Sequence, residues 1–421
     1  MKKELDLQDT VWDVAVIGGG PAGMMAAGRA AERGLKVVLL EKNPTLGKKL
    51  LITGGGRCNV TNAEPDVRKL LAKFKDSDKY LFSAFSKWSV KETLDFFHIR
   101  KLDTKVEAEQ RVFPITDKAQ SVWNVLVDYM KQTGVTILPN CEVMGFVTEE
   151  SKVTGVKLKG RNVVTAKSFI LATGGKSHPE TGSTGEGFVW LKTLGHKVIE
   201  PTASLVPVTL RDVWVRDISG VSLQNIKLTL TQAGVKHKVV KGKILFTHFG
   251  ITGPTVLNMS SDVRELLKYG EVTIALDLLP TLDHGMLNKK LQDIFKENIN
   301  KKFKNSLSPL ITPALAPIII ELSKIDPEKQ SNSITREERL RLIDVLKNIP
   351  LHVSGLLGVD KAIVTSGGVS LDEIDFKTMS SKLYPNLYLV GDVLNIDRPS
   401  GGYSLQLCWT TGFVAGDSAG K

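Results

Sequence analysis

The chain has 421 residues, 42% of them hydrophobic and 24% charged, and a net charge of +11, which admits two or three domains with sizeable cores. Its three cysteines, Cys58, Cys141 and Cys408, form no CxxC, and its seven histidines show no HxxxH or HExxH spacing, which argues against a disulfide framework, a redox dithiol and a zinc site. Redox chemistry then falls to an organic cofactor, and the basic balance suits either a polyanionic partner or a mildly basic enzyme.

The start, MKKELDLQDT, has no apolar h-region and does not read as a secretory signal. From Val11 to Glu41 the spacing predicts strand, tight turn, helix and strand. The apolar run Val14–Ile17 meets Gly18, Gly20 and Gly23, a small-residue helix ends at Gly34, and a second apolar run closes on Glu41. Gly18 permits the turn, Gly20 lets backbone approach a pyrophosphate, and Gly23 lets helix and strand pack closely. The helix N-terminus offers free N–H groups, and an acid at Glu41 can accept the hydroxyls of an adenosine ribose. This pattern indicates a dinucleotide and leaves FAD and NAD(P) open.

Lys42, Lys48 and Lys49 precede the glycine cluster Gly54, Gly55 and Gly56, a stretch with few side chains and many N–H groups that can lie against a planar or anionic ligand. Arg57, Cys58 and Asn59 would then reach that ligand's edge, flanked by Thr53, Thr61 and Asn62. Residues 65–97 read as peripheral helices with a capping box at Ser89 and Glu92, and Asp117–Gln132 reads as another helix. Strands are predicted at Val135–Leu138, Cys141–Thr148, Val153–Leu158 and Val163–Leu171, the last running into Ala172, Thr173, Gly174 and Gly175. Small residues at a strand end mark where open α/β sheets bind ligands.

From Pro201 the texture becomes antiparallel, with β-type runs at Val221–Thr231, Lys243–Phe246 and Glu271–Leu278. Between two of them His248, flanked by Phe246 and Phe249, is a candidate for facing substrate. A histidine in that setting is more often a packed structural residue. Residues 283–348 turn helical and end with a capping box at Thr335 and Glu338, while the apolar run Pro309–Leu322 is broken by Pro313 and Pro317 and too short to span a bilayer. The first pattern then returns with Ala362–Thr365 leading to Ser366, Gly367 and Gly368, with Leu387–Val390 ending in Gly391 and Asp392, and with Gly401 and Gly402 opening a small-residue helix.

The expected fold class is therefore α/β, a Rossmann-like dinucleotide domain split by an insertion. Its expected parts are 1–203, an inserted antiparallel sheet or barrel at 204–280, a small helical domain at 281–350, and the second Rossmann part at 351–421. The expectation is a soluble, cytoplasmic protein without membrane segments, and its oligomeric state is open.

The GGGPAG turn, LLITGGGRCNVTN, LATGG, FTHFGITGP and the terminal LYLVGDVLNIDRPSGGYSLQLCWTTGFVAG together resemble the YhiN/BaiN-type bacterial FAD-dependent oxidoreductases, also labelled aminoacetone-oxidase-like. The resemblance spans essentially the whole chain, and its GGGRCN and GGY blocks are more specific than the glycine fingerprint. It implies a β-barrel-like domain at 204–280. It also implies FAD, with Gly18, Gly20 and Gly23 at the pyrophosphate, Glu41 at the ribose and Thr53–Asn59 bordering the isoalloxazine. Asp392 would bind the ribityl or pyrophosphate part. The helix opened by Gly401, Gly402 and Tyr403 would aim its positive end at the flavin N1/C2 edge and stabilise anionic reduced flavin. Lys42, Lys49, Val143, Ala172, Thr173, Gly174, Gly391 and Ser404 complete the expected cofactor contacts.

A single GxGxxG leaves no second dinucleotide domain, so NAD(P)H is expected to visit the flavin transiently as donor, with hydride passing to a conjugated C=C and a proton added beside it. Cys58 is the candidate proton donor, because it sits in the flavin-edge loop and Arg57 beside it would favour thiolate, and the alternative of at least equal weight is a buried small residue packing on the flavin; Arg57 and His248 complete the catalytic candidates. Activities of the resembling family reduce a uridine of 23S ribosomal RNA to dihydrouridine or reduce steroid-type enones, and the lysines of the insertion favour RNA. The alternatives are a small-molecule enone reductase or amine oxidase, and a non-enzymatic, flavin-stabilised RNA-binding protein.

Overall fold

The computed structural model describes residues 10–160, 162–358 and 364–421. The stretch before Thr10, Arg161 and residues 359–363, which include the expected start of a strand at Ala362, lie outside the described residues. The chain divides into two compact units, one holding the residues up to Ser204 with those from Val364 onward, the other 205–358.

The first unit opens with β1 (Trp12–Ile17), α1 (Pro21–Glu32) and β2 (Val37–Leu40), followed by α2 (Lys48–Ile52) and β3 (Thr61–Asn62). Helices α3 (Val67–Leu71), α4 (Asp78–Lys87) and α5 (Val90–Ile99) come next, and Ser89 and Glu92 form the capping box at the start of α5. After β4 (Thr104–Glu107), β5 (Arg111–Pro114) and α6 (Ala119–Gln132) come β6 (Thr136–Leu138), β7 (Val143–Glu149), β8 (Lys152–Leu158), β9 (Val163–Leu171), α7 (Glu186–Thr193) and β10 (Val198–Ser204).

The second unit contains β11 (Val208–Leu210), β12 (Ser222–Gln232), β13 (Val235–Thr247), β14 (Gly250–Thr252), α8 (Pro254–Leu267) and β15 (Val272–Asp277), then α9 (His284–Glu297), α10 (Ala316–Ser323), α11 (Arg336–Lys347) and β16 (Ile349–Leu356). Its six strands close into a barrel in the order β11-β14-β13-β12-β15-β16. Two expected boundaries shift here. Strand β16 follows the helices in sequence yet pairs with β11 and β15, so residues 351–356 complete the barrel and not the Rossmann part. The helices of 281–350 are no separate domain either, because Leu287, Leu291, Leu342 and Leu346 share one apolar core with Leu228, Leu230, Ile274 and Leu276 of the barrel. The physical reason is common to both: a barrel without its sixth strand leaves open edges, and short amphipathic helices need an apolar surface on which to bury their stripe.

The first unit resumes with β17 (Val364–Val369), β18 (Ile374–Asp375), β19 (Ser380–Ser381), β20 (Leu387–Leu389) and α12 (Tyr403–Ser418). Its main sheet runs β18-β19-β20-β9-β1-β2-β6, with β6, β2, β1, β9 and β20 parallel. Strands β1 and β2 are almost wholly buried, as parallel strands covered on both faces must be. Register places Ile17 beside Leu40 and Leu171, and Leu171 beside Leu389. The residues just past these strand ends, Gly18, Glu41, Ala172 and the Gly391–Asp392 turn, therefore converge at one edge of the sheet. Helix α12 lies against α1 closely enough that a Cβ on Gly412 or Gly416 would meet the carbonyls of Ala22 and Ala26 at 2.4 Å. That contact explains its small-residue face. Among the described residues no helix is long and apolar enough to cross a membrane.

Candidate active site

The convergent strand ends open onto a channel of about 560 Å³, within the usual range for ligand sites. Its first wall is the glycine turn. Gly18 has φ +103°, and a Cβ there would strike the Ala172 carbonyl at 2.6 Å, while a Cβ on Gly23 would overlap the Gly18 carbonyl at 1.9 Å. Gly20 differs from both, for it lines the channel and nothing lies within 4 Å of where its Cβ would point. Gly20 also stands at the N-cap of α1 without a side-chain cap, and Pro21 follows in the first turn, so the helix presents uncapped N–H groups here.

Glu41 is buried at the end of β2 and is held by its own surroundings. Its Oε2 accepts from the Gly19 N–H at 2.7 Å, and its Oε1 accepts from the N–H and Nδ2 of Asn43 at 2.8 and 2.7 Å. Lys42, which also lines the channel, donates to Thr184 Oγ1 at 2.8 Å and pairs with Glu186 at 2.7 Å. Lys49 donates to Ser177 Oγ at 2.8 Å. Burial pushes the Lys49 ammonium below its ordinary range, opposed by the nearby Asp392 carboxylate.

The glycine cluster contributes only in part. Thr53, Gly54 and Gly55 line the channel beside Ile52, with Gly54 and Gly55 left-handed at φ +57° and +68°. Gly56, Arg57, Cys58 and Asn59 do not line it. The Arg57 guanidinium is instead engaged by Glu107 and by Asp117, at 2.7 Å, and covers the Phe113 ring at 4.1 Å. The expectation that Arg57 favours a Cys58 thiolate is corrected by this arrangement. Cys58 is fully buried, and desolvation pushes its thiol up to about 12, only partly offset by a hydrogen bond with Thr53. It is a neutral packing residue, and an ordinary thiol buried in apolar surroundings behaves so. His248, the third catalytic candidate, is exposed in the turn between β13 and β14 of the second unit, edge-on to Phe249 at 5.0 Å, and is not among the channel residues.

The far wall comes from the end of the chain. Gly391, Asp392, Ser404, Leu405 and Cys408 line it, while Gly401, Gly402 and Tyr403 do not. Gly402 has φ +101°, and a Cβ on it would meet the Thr61 backbone at 2.3 Å, so its role is to let the start of α12 approach β3. Tyr403 turns inward onto Phe74, ring to ring at 6.0 Å. Helix α12 also begins without a side-chain cap. Behind this wall a buried Arg398 joins Asp392 to Ser404.

Val143, Ala172, Thr173 and Gly174 line the adjoining wall, and the hydroxyl of Thr173 is buried without a hydrogen-bond partner. The sequence reading missed the loop after it, in which His178, Thr181, Gly182 and Ser183 reach the channel, together with Asn43, Glu186 and Trp190. The stretch KSHPETGSTGEG, polar and glycine-rich directly after a strand end, carried the signal. His178 is the channel's imidazole, its Nδ1 oriented by Glu180 Oε1 at 2.8 Å.

An open place where a Gly20 side chain would sit, two uncapped helix N-termini, a half-buried ammonium and an orphaned Thr173 hydroxyl fit an elongated ligand that is anionic in the middle. Together the parallel sheet and this channel define an FAD-binding oxidoreductase with a Rossmann-like fold. The HI0933-like protein Rossmann domain matches residues 12–418, and the chain belongs to that family. It is 28% identical over 403 residues to the ribosomal RNA dihydrouridine synthase of Escherichia coli K12, covering 96% of each chain. It is also 28% identical over 411 residues to the 3-dehydro-bile acid delta(4,6)-reductase of Clostridium scindens, covering 97% of this chain and 99% of the other. In fold it is similar to the open conformation of a flavocytochrome c3 fumarate reductase, with TM-score 0.55 and 18% identity, over 98% of this chain and 78% of that one.

Proposed function

We propose that this enzyme takes hydride from NAD(P)H and delivers it to one carbon of a C=C conjugated with a carbonyl while the neighbouring carbon takes up a proton from solvent, and that its substrate is a uridine of 23S ribosomal RNA. The observation that carries the chemistry is the pair of full-length relatives at equal identity, whose names describe saturation of a uridine and of a dienone-type steroid. Both are hydride additions to an electron-poor alkene. When bound, FAD supplies the hydride-carrying centre that accepts from the nicotinamide and donates to the substrate.

The chain's own residues hold and orient. In this reading Glu41, already fixed by Gly19 and Asn43, accepts from the adenosine ribose, and the α1 N-terminus at Gly20 receives the pyrophosphate. Lys49 supplies a cation along the same wall. Thr53, Gly54 and Gly55 give the ring system a wall with little side-chain bulk, and the α12 N-terminus near Ser404 faces the place where negative charge accumulates. A dinucleotide held across the whole channel leaves the nicotinamide no resident site, so donor and substrate take turns.

The RNA branch is supported by charge. Residues 205–358 carry 21 lysines and arginines against 15 aspartates and glutamates, and Lys236, Lys241 and Lys243 are exposed along β13. A second reading, a small-molecule enone reductase, is favoured by the bile-acid relative of equal identity. The test is dihydrouridine mapping of 23S rRNA from cells lacking the gene. Loss of one dihydrouridine, restored by the wild-type gene, supports the RNA reading; an unchanged map together with turnover of a steroid enone by the purified protein transfers the assignment to the second.

A further inference from the structure

Arg398 lies between the Gly391–Asp392 turn and the start of α12, and its side chain has no solvent exposure. Its Nε donates to Ser404 Oγ at 3.0 Å, its Nη1 donates to the Ile396 carbonyl at 2.8 Å, and its Nη2 pairs with the Asp392 carboxylate. Two of those three acceptors, Asp392 and Ser404, line the channel, while Arg398 stands behind them. A buried guanidinium is tolerated only where its donors are met, and its planar fork fixes the direction of each acceptor in a way a lysine ammonium cannot. The carboxylate on the sheet-end turn and the hydroxyl in the first turn of α12 are thus held at one spacing by a single rigid group. Lys49 also lines the channel, and the Asp392 carboxylate opposes the effect of burial on its ammonium.

We propose that Arg398 is a positioning residue for the cofactor: it aims Asp392 and Ser404 at the bound FAD, and its fixed charge favours the reduced, more negative form. The inference rests on the reading of the channel as the FAD site. Its role was not visible in the sequence, where RPSGGYS reads as a turn before a helix. Arginine rather than lysine is required because the function is to join two wall segments as well as to carry charge.

The experiment measures FAD dissociation and the midpoint potential of the bound flavin for the wild type, Arg398→Met, Arg398→Lys, Asp392→Asn and the Arg398→Met/Asp392→Asn double variant. Arg398→Met is expected to weaken FAD binding at least roughly tenfold, as truncating one partner of a buried charge pair does, and to move the potential more negative. Asp392→Asn should move the potential in the opposite direction. The double variant should bind FAD no worse than the poorer single one, because the two residues act as a unit. Arg398→Lys should keep the potential near wild type while losing affinity, and it carries the test alone if Arg398→Met does not fold. Additive losses in the double variant, potentials shifting in the same direction for both single variants, or wild-type affinity in Arg398→Lys would overturn the proposal. A wild-type protein that takes up no FAD sinks the reading of the channel as a whole; normal uptake with wild-type binding and potential in Arg398→Met removes only the role of Arg398.

Discussion

Glu41 Oε2 accepts a hydrogen bond from the Gly19 N–H at 2.7 Å, so the acid at the end of one strand is tied to the glycine turn at the end of its neighbour. The parallel pairing of Ile17 with Leu40 brings the two segments side by side. A carboxylate that is buried and held by three N–H donors is preorganised for a ligand hydroxyl, since it does not have to reorient on binding.

Glu41→Gln is expected to keep the fold and lose cofactor. The amide must turn one N–H toward a donor it used to accept from, which costs about 1–3 kcal/mol for the unsatisfied buried group. A fall in FAD affinity read by fluorescence titration, with apo-protein melting lowered by a few degrees, checks this. Unchanged affinity would remove Glu41 from the site.

Two glycine substitutions should fail in different ways. Gly23→Ala drives a Cβ onto the Gly18 carbonyl and should destabilise the apo-protein itself, because backbone cannot retreat as a flexible side chain can. Gly20→Ala meets no atom of the protein and should leave the apo-protein stable while blocking FAD uptake. Thermal melts of both apo-proteins beside their flavin content separate the outcomes. Equal melting losses would contradict the assignment.

The buried thiols should make stability fall at high pH. Cys58 and Cys408 are both pushed up to about 12 by burial, from an ordinary value of 9.0, so the unfolded chain releases these protons first. Their contribution is complete below pH 9 and declines as pH rises from about 9 toward about 12. Denaturant unfolding at pH 8, 9, 10 and 11 measures the slope, which Cys58→Ala should reduce. At pH 8 Cys58 should also resist a thiol reagent while the native state persists, and its rapid labelling would show that it is not a neutral packing residue.

If the barrel unit binds RNA, replacing Lys236, Lys241 and Lys243 with alanine should weaken binding of a 23S rRNA fragment with little dependence on its sequence. The slope of log affinity against log salt should fall by roughly 2, at about 0.7 for each phosphate that no longer meets a lysine. Fluorescence anisotropy across a salt series reads this directly. A slope equal to that of the wild type would place the RNA-binding surface elsewhere than on β13.

Much of this was legible in the order of residues. Val163–Leu171 forms a strand with the bounds its apolar run indicates, and both capping boxes, at Ser89 and Thr335, form because their donors and acceptors lie within one helical turn. What failed was long-range. No strand is read at 349–356, and the expected second Rossmann part takes in residues 351–356; only the pairing of β16 with β11 and β15 assigns them to the barrel. The sequence left Cys58 open between a proton donor beside Arg57 and a buried packing residue, because neighbours in sequence can point apart. Arg57 goes out to Glu107 and Asp117, and Cys58 goes inward.

Local spacing along the sequence was enough to indicate a dinucleotide domain from a glycine turn, an acid at Glu41 and small-residue strand ends, because each of those features lies within one short segment. Tertiary structure alone decided which of them meet. Parallel register brought Gly18, Glu41, Ala172 and Gly391 to one edge of the sheet, and the close packing of α12 on α1 fixed where the last wall stands. It also placed Arg398 behind Asp392 and Ser404, where a buried charge is tolerable only because those partners are there to receive it.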